Sequence, residues 1–176
     1  IPTVLANCYT SCGRFTSVVP DEELAGEQIV GAMLDKGYRR IAFLNLDERI
    51  IAAQGRKAGA IRAYEKRGES LQNLHIESVI VEQDGQLISR ARLAACEVIK
   101  QFKPDAILCG QDPMAMEIYF VLQSLGLKVG DDIGIGSFDN WDLIPELLQP
   151  SLTTMALPHY EMGRWAFNYL LDERTD

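Results

Sequence analysis

The residues in this chain able to do chemistry are mostly amides, carboxylates and arginines, and they follow the apolar runs instead of interrupting them. Asn7 comes after the first run. Asn45, Asp47, Glu48 and Arg49 come after the second, with Gln54 and Arg56 a little further on. Glu82, Gln83 and Asp84 follow the third, Gln111 and Asp112 the fourth, and Asp139, Asn140 and Trp141 the fifth. A sugar hydroxyl both donates and accepts a hydrogen bond, and Asp, Asn, Gln and Arg together supply both kinds of partner. Arg adds a planar fork and Asp two acceptor oxygens. The set therefore suits a polyhydroxylated ligand. Local structure explains part of it too. Asp112, just before Pro113, can cap a helix, and Asp139-Asn140 can be turn chemistry. Asp47-Glu48-Arg49 reads more readily as a solvated loop than as a site. Trp141 can stack on a sugar face or seal a loop.

Other chemistries find little support. There is no Gly-x-Ser-x-Gly elbow, no Gly-x-x-x-x-Gly-Lys phosphate loop and no dinucleotide glycine fingerprint. Gly134 and Gly136 lie inside an apolar run, not in a turn before a helix. His159 with Asp112 or Asp139 is the one acid–base pairing to consider, and a lone histidine opening a helix is more often a surface or packing residue. No enzyme activity is expected. The cysteines, Cys8, Cys12, Cys96 and Cys109, are too sparse for a disulfide scaffold. Cys96 and Cys109 sit in apolar settings that suit reduced core residues. His75 and His159 are not at zinc-site spacing, so neither metal nor cofactor is expected, and a reducing, intracellular compartment is the simpler reading.

Charge and composition narrow the class. The chain has 176 residues, with 17 Lys and Arg against 25 Asp and Glu and a formal charge of −8. A net negative charge argues against a general nucleic-acid binder, because phosphate contacts need clustered Lys and Arg. It leaves open a basic part elsewhere in a longer protein. The 47% hydrophobic content fits a globular chain, and the longest apolar runs fall far short of the roughly 18 residues a membrane span needs. Ile1-Pro2-Thr3-Val4-Leu5 reads as a buried strand with neither an initiator Met nor a signal segment before it, as expected of an excerpt from a longer chain.

The elements that must position these residues alternate. Strands are predicted over Val4–Ala6, Ile41–Leu44, Ser78–Val81, Ala106–Cys109, Ile133–Phe138 and Leu152–Met155. All are short, continuous and apolar, as parallel strands buried on both faces are. Between them lie helical stripes. Ala25, Ile29, Ala32 and Met33 precede a Gly37 stop, and Ala60, Ile61 and Tyr64 precede Gly68. Leu87, Ala91, Ala94, Val98 and Phe102 form a third stripe closed by Pro104. Ala115, Ile118, Leu122 and Leu125 end at Gly126, and Pro158 opens a last helix with Met162, Trp165, Ala166 and Tyr169. This alternation predicts a three-layer α/β/α fold with a mostly parallel sheet and right-handed crossovers. In such a sheet ligands bind outside the carboxyl ends of the strands, which is where the polar set falls.

Four stretches carry a resemblance to a known family. Gly37-Tyr38-Arg39-Arg40-Ile41-Ala42-Phe43-Leu44 resembles a Gly-His-Arg-Arg-Ile-Ala-Phe segment, with Tyr38 replacing His. Gly55-Arg56-Lys57-Ala58-Gly59 resembles an Arg-x-x-Gly helix start. The stretch from Pro104 through Gln111-Asp112-Pro113-Met114-Ala115-Met116 resembles Pro-x-Ala-x-x-x-x-Asn-Asp-x-Met-Ala. Asp132 to Asp139, then Pro150-Ser151-Leu152-Thr153-Thr154, resembles Val-x-Gly-Phe-Asp followed by Pro-x-Leu-Thr-Thr. Their order and spacing are similar to the effector-binding core of lactose-repressor (LacI/GalR) type transcription regulators, over nearly the whole chain.

The resemblance implies a periplasmic-binding-protein-like type I fold: a C-terminal effector-binding lobe over residues 21–153, the end of an N-terminal lobe over 1–20 and a return segment over 154–176. Remnants of the N-terminal lobe would have exposed edges, mobile or paired with another copy. The resemblance also implies a sugar or sugar-derivative effector, a homodimer, a cytoplasmic location and operator DNA read by a helix-turn-helix that these residues do not contain. By position, Arg56 matches the arginine that holds the effector and Asp139 its acidic partner. Asn7, Gln111, Asp84 and Trp141 complete the candidate ligand set. Asn7 stands where many members place Asp, Gln111 where most place Asn, and Gly85 where some present a stacking aromatic. Met114, Met116 and Leu147 are the candidate dimer surface, the alternative being that they pack inside their own lobe. A solute-binding protein of a sugar transporter shares this fold and is the competing reading.

Overall fold

A computed structural model describes residues 2–10 and 13–172. The chain forms two units, one of residues 22–156 and one of residues 1–21 with 157–176. The expected boundaries were at 20 and 153; the units divide after residues 21 and 156. The difference at the second comes from the last strand, which joins the larger unit's sheet.

In the larger unit, helix α1 (Glu22–Asp35) leads into β3 (Ile41–Asn45), then α2 (Ile51–Lys66) and β4 (Leu74–Ser78). A hairpin of β5 (Ile80–Gln83) and β6 (Gln86–Ser89) precedes α3 (Ala91–Gln101). There follow β7 (Ala106–Cys109), α4 (Asp112–Ser124), β8 (Gly134–Asp139), the short α5 (Ile144–Leu147) and β9 (Thr153–Ala156). The five-stranded sheet has the order β4-β3-β7-β8-β9, and every neighbouring pair is parallel. Ala42, Leu44, Ile107 and Cys109 pack with α3 and α4 on one face. On the other, the ring centroids of Phe43 and Phe138 are 6.1 Å apart, and α1 and α2 cover them. With both faces buried, period-two alternation disappears, so these strands read as continuous apolar runs.

Two expectations about the third strand and its helix need correction. The sheet strand is Leu74–Ser78, and the expected Ser78–Val81 run straddles the end of it and the start of the hairpin. Leu87 was expected on the α3 face but lies in β6, exposed. The reason is the Asp84-Gly85 pair. Both residues have positive φ, 53° and 75°, as a tight two-residue hairpin turn demands, and Asp-Gly is among the dipeptides that tolerate it best. Helix α3 begins only at Ala91, whose amide donates to Ser89 Oγ.

The smaller unit contains β1 (Val4–Ala6) and β2 (Thr16–Val18), paired in parallel, and α6 (His159–Asp172). β2 was not foreseen, because three half-buried residues carry too little pattern. Thr16 Oγ1 donates to Tyr169 Oη at 2.9 Å, and Trp165 and Tyr169 stack at 5.3 Å. Cys12 lies outside the described residues. No helix among those described is long and apolar enough to cross a membrane.

Candidate functional site

β3 is the first strand of the five-stranded sheet in the chain; β4 then adds on one side of it and β7 on the other. The connections after β3 and β7 therefore part in opposite directions, the arrangement at which open parallel sheets take ligands beyond the carboxyl ends of their strands. Arg56, in the second turn of α2, spans this point. Its Nη1 donates to the Gly110 carbonyl just after β7 at 2.5 Å. Its Nε donates to Glu22 Oε2 at 2.7 Å and its Nη2 to Glu22 Oε1 at 3.3 Å. Nη2 also donates to Asp139 Oδ1 at 3.1 Å, and the guanidinium lies 4.4 Å from the centre of the Phe138 ring. Only 3% of Arg56 is exposed. A charge buried this far is tolerable because nearly every N–H has an acceptor, most of them ionised.

The backbone brings these groups together through local features of the sequence. Asn45, at the end of β3, is buried; its side-chain amide donates to the Ala53 carbonyl at 2.9 Å and fixes the first turn of α2. Glu22 opens α1, where a carboxylate meets the positive end of the helix dipole. The α1 and α2 backbones approach closely at Gly26, Gly55 and Gly59, which sets Glu22 beside Arg56. At the end of β8, Asp139 and Asn140 have φ of 100° and 50°, so the chain turns sharply as Asp139 reaches Arg56. The sharp turn and the hydrogen bond to Arg56 occur at the same residue.

Asp112 does not play the N-cap role. Gln111 holds the N-cap position of α4. Asp112 is fully buried in the first turn, where Oδ1 accepts from Thr154 Oγ1 at 2.7 Å and Oδ2 from the Trp141 amide at 2.6 Å. Thr154 Oγ1 also accepts from the Asn140 amide at 3.2 Å. The loop after β8 is thus pinned to the start of α4 and to β9. Burial raises the pKa of Asp139 above the ordinary aspartate value; Arg56 acts against this, and the charges of Asp112 and Glu22 push it further up.

The structure unites Arg56 and Asp139, and Gln111 follows the carbonyl that Arg56 binds. Trp141 is anchored by its amide while its indole is open, the residue being 57% exposed. Asp84 is placed otherwise than expected: it sits exposed at the hairpin tip, not at the end of a sheet strand. Asn7 is exposed in the smaller unit with φ of 60°. Asp47-Glu48-Arg49 lies in the loop after β3, with Glu48 and Arg49 exposed and Asp47 tied to Arg49. Asp47 accepts from the Arg49 amide and guanidinium, which holds its pKa at about 2, and Arg49 also bridges to Glu82 at 3.0 Å.

Met114 is 2% exposed and packs in the core with Ile118 and Leu122, so it offers no dimer surface. Its helix turns it inward at the same spacing as those two residues. Met116 is half-buried and Leu147 is 73% exposed. Cys109 is fully buried and its thiol pKa is raised by desolvation. Sequence reasoning passed over Glu22, Thr154 and the Gly110 carbonyl. Glu22 looks like an ordinary acidic first turn, Thr154 like a strand residue, and a carbonyl carries no residue signature.

Residues 13–176 match the periplasmic binding protein-like domain model. The sucrose operon repressor of Escherichia coli is 30% identical over 173 residues, 97% of this chain and 52% of that protein. Catabolite control protein A of Priestia megaterium is 33% identical over 172 residues, covering 97% and 50% respectively. The crystal structure of a putative LacI-family regulator from Rhizobium etli superposes with a TM-score of 0.89 at 32% identity, over 98% of this chain and 62% of that one. The chain belongs to the periplasmic binding protein-like domain family. It spans about half the length of the curated relatives it matches.

Proposed function

We propose that this domain senses a sugar-type effector at the carboxyl ends of β3, β7 and β8, and that binding there governs how a longer repressor holds operator DNA. The observation that carries this reading is the pair of buried Arg56 and partly exposed Asp139 at the sheet's switch point, with Gln111 and the exposed Trp141 following the same strands. A carboxylate with one oxygen on Arg56 keeps acceptor capacity for a hydroxyl, and an exposed indole offers a face for a sugar ring. The name of the sucrose operon repressor agrees with this class of effector. Contacts that differ between two conformations would let the effector shift DNA affinity. A homodimer formed through Met116 and Leu147, acting in the cytoplasm where operators lie, completes the proposal.

The test is a thermal-shift panel of neutral mono- and disaccharides, with nucleobases as a counter-panel. At least one sugar should raise Tm in a concentration-dependent way, and Arg56→Ala should remove the shift. A shift with nucleobases alone, or a sugar shift that survives Arg56→Ala, overturns the assignment.

A further inference from the structure

We propose that the site takes uncharged polyols and rejects their phosphorylated or carboxylated counterparts, and that Glu22 is the residue that sets this specificity. The inference rests on the function proposed above and adds the charge class of the ligand. An arginine facing a sheet's switch point would by itself invite an anion, since its fork matches phosphate and carboxylate. Here most of that fork is already taken. Glu22 occupies Nε and one hydrogen of Nη2, Asp139 the other, and the Gly110 carbonyl one of the two on Nη1. An anion seeking a two-pronged grip would have to displace a carboxylate, leaving it unpaired at a large cost.

Charge count points the same way. Glu22 and Asp112 both act electrostatically on Asp139, and Glu22 and Asp139 both pair with the single guanidinium of Arg56, so the three carboxyl groups and the guanidinium have a formal charge of −2 when all are ionised. The first turn of α4, otherwise attractive to anions, already holds the Asp112 side chain. A neutral hydroxyl meets none of this repulsion and finds lone pairs on Asp139 to bind. Repulsion aimed at the wrong ligand is a recognised source of selectivity.

Calorimetric titration of the 176-residue chain with matched pairs tests it: glucose and glucose 6-phosphate, ribose and ribose 5-phosphate, fructose and fructose 6-phosphate. Any neutral sugar that binds should bind at least about tenfold more tightly than its phosphate, and Glu22→Gln should narrow that gap several-fold. Orthophosphate serves as a probe independent of the sugar reading: it should leave the Tm of the wild-type chain unchanged and raise that of Glu22→Gln. If Glu22→Gln fails to fold, Asp139→Asn frees the other edge of the guanidinium and replaces it in the orthophosphate arm. A phosphorylated sugar binding as well as its neutral partner, an unaltered gap in Glu22→Gln, or equal stabilisation of both chains by orthophosphate overturns the charge rule and leaves the sugar reading standing. Binding of no sugar, with orthophosphate still stabilising only the variant, overturns the sugar reading and leaves the charge rule standing.

Discussion

Thr154 of β9 donates a 2.7 Å hydrogen bond to the Asp112 carboxylate, at the start of α4. Asp112 is fully buried and has a second donor in the Trp141 amide. Remove the threonine hydroxyl and a buried carboxyl oxygen loses its partner, while the Asn140 amide loses its acceptor. Such a group costs more when left unmade than the bond contributes when made. Thr154→Val should therefore destabilise the fold by about 2 kcal/mol in denaturant unfolding. Thr154→Ser, which keeps the hydroxyl, should lose much less. Equal losses in the two variants would show that the methyl group, not the hydroxyl, matters.

Gly59 of α2 makes a second point of close approach. A Cβ built there would collide with the Glu23 carbonyl oxygen and lie 2.6 Å from the Glu27 amide nitrogen, both on α1. Backbone cannot rotate aside as a side chain can, so the helices would have to separate. Gly59→Ala should cost about 1 to 3 kcal/mol, despite alanine's better helix propensity. It should also weaken any sugar response, because Glu22 and Arg56 ride on the two helices being pushed apart. Gly163 is the control: a Cβ on it meets nothing within 4 Å, so Gly163→Ala should be neutral or stabilising. A harmless Gly59→Ala would show that the α1–α2 contact is looser than it looks.

The layered α/β fold was legible because parallel strands covered on both faces leave apolar runs that a reader can count, as at Ile41–Asn45 and Ala106–Cys109. Arg56 and Asp139 stood among many polar residues expected near the carboxyl ends of the strands, and the resemblance, not position alone, singled them out; Arg56 lies in the second turn of α2 and Asp139 ends β8. The hairpin was hidden because Leu87 happens to continue the helical spacing of Ala91 and Ala94, and the Asp84-Gly85 turn signal was outweighed by that stripe. Glu22 was hidden for a different reason. Its partner lies 34 residues away on another helix, and only the close packing at the glycines, a property of two elements together, brings them into contact. Asp112 looked like a cap because caps are a local pattern, whereas its actual donors come from the β8–α5 loop and β9.

Asp139 supplies a pH-dependent prediction. Its pKa is raised in the folded chain, first by burial, with Arg56 opposing and Asp112 and Glu22 adding to it. The folded state therefore holds this proton to a higher pH than the unfolded state does. Stability drawn from this residue is present below the unfolded pKa and falls as pH rises through the folded one. Asp139→Asn cannot ionise and escapes that fall. The Tm of Asp139→Asn minus that of the wild-type chain should become more positive between pH 4 and pH 7, even though the variant loses the charge that pairs with Arg56. A difference that becomes more negative over that range would mean that the ion pair outweighs the burial of the carboxylate.

Arg56 and Glu22 should show the strongest coupling in the molecule. Arg56→Met keeps the length of the side chain but leaves Glu22 buried without its cation and sets it against Asp139 and Asp112. Stranding a buried charge in this way costs about 3 to 5 kcal/mol. Glu22→Gln alone should cost less, since the amide oxygen can still accept from Arg56 and Asp139 still balances the guanidinium. In the double variant the stranded carboxylate is gone, so stability should recover well beyond the sum of the single losses. A double-mutant cycle in urea should thus give a coupling energy of about 2 kcal/mol or more. Additive losses would mean that the two residues do not share an interaction, and that the 2.7 Å ion pair at the heart of the proposed specificity is not what holds α1 to α2.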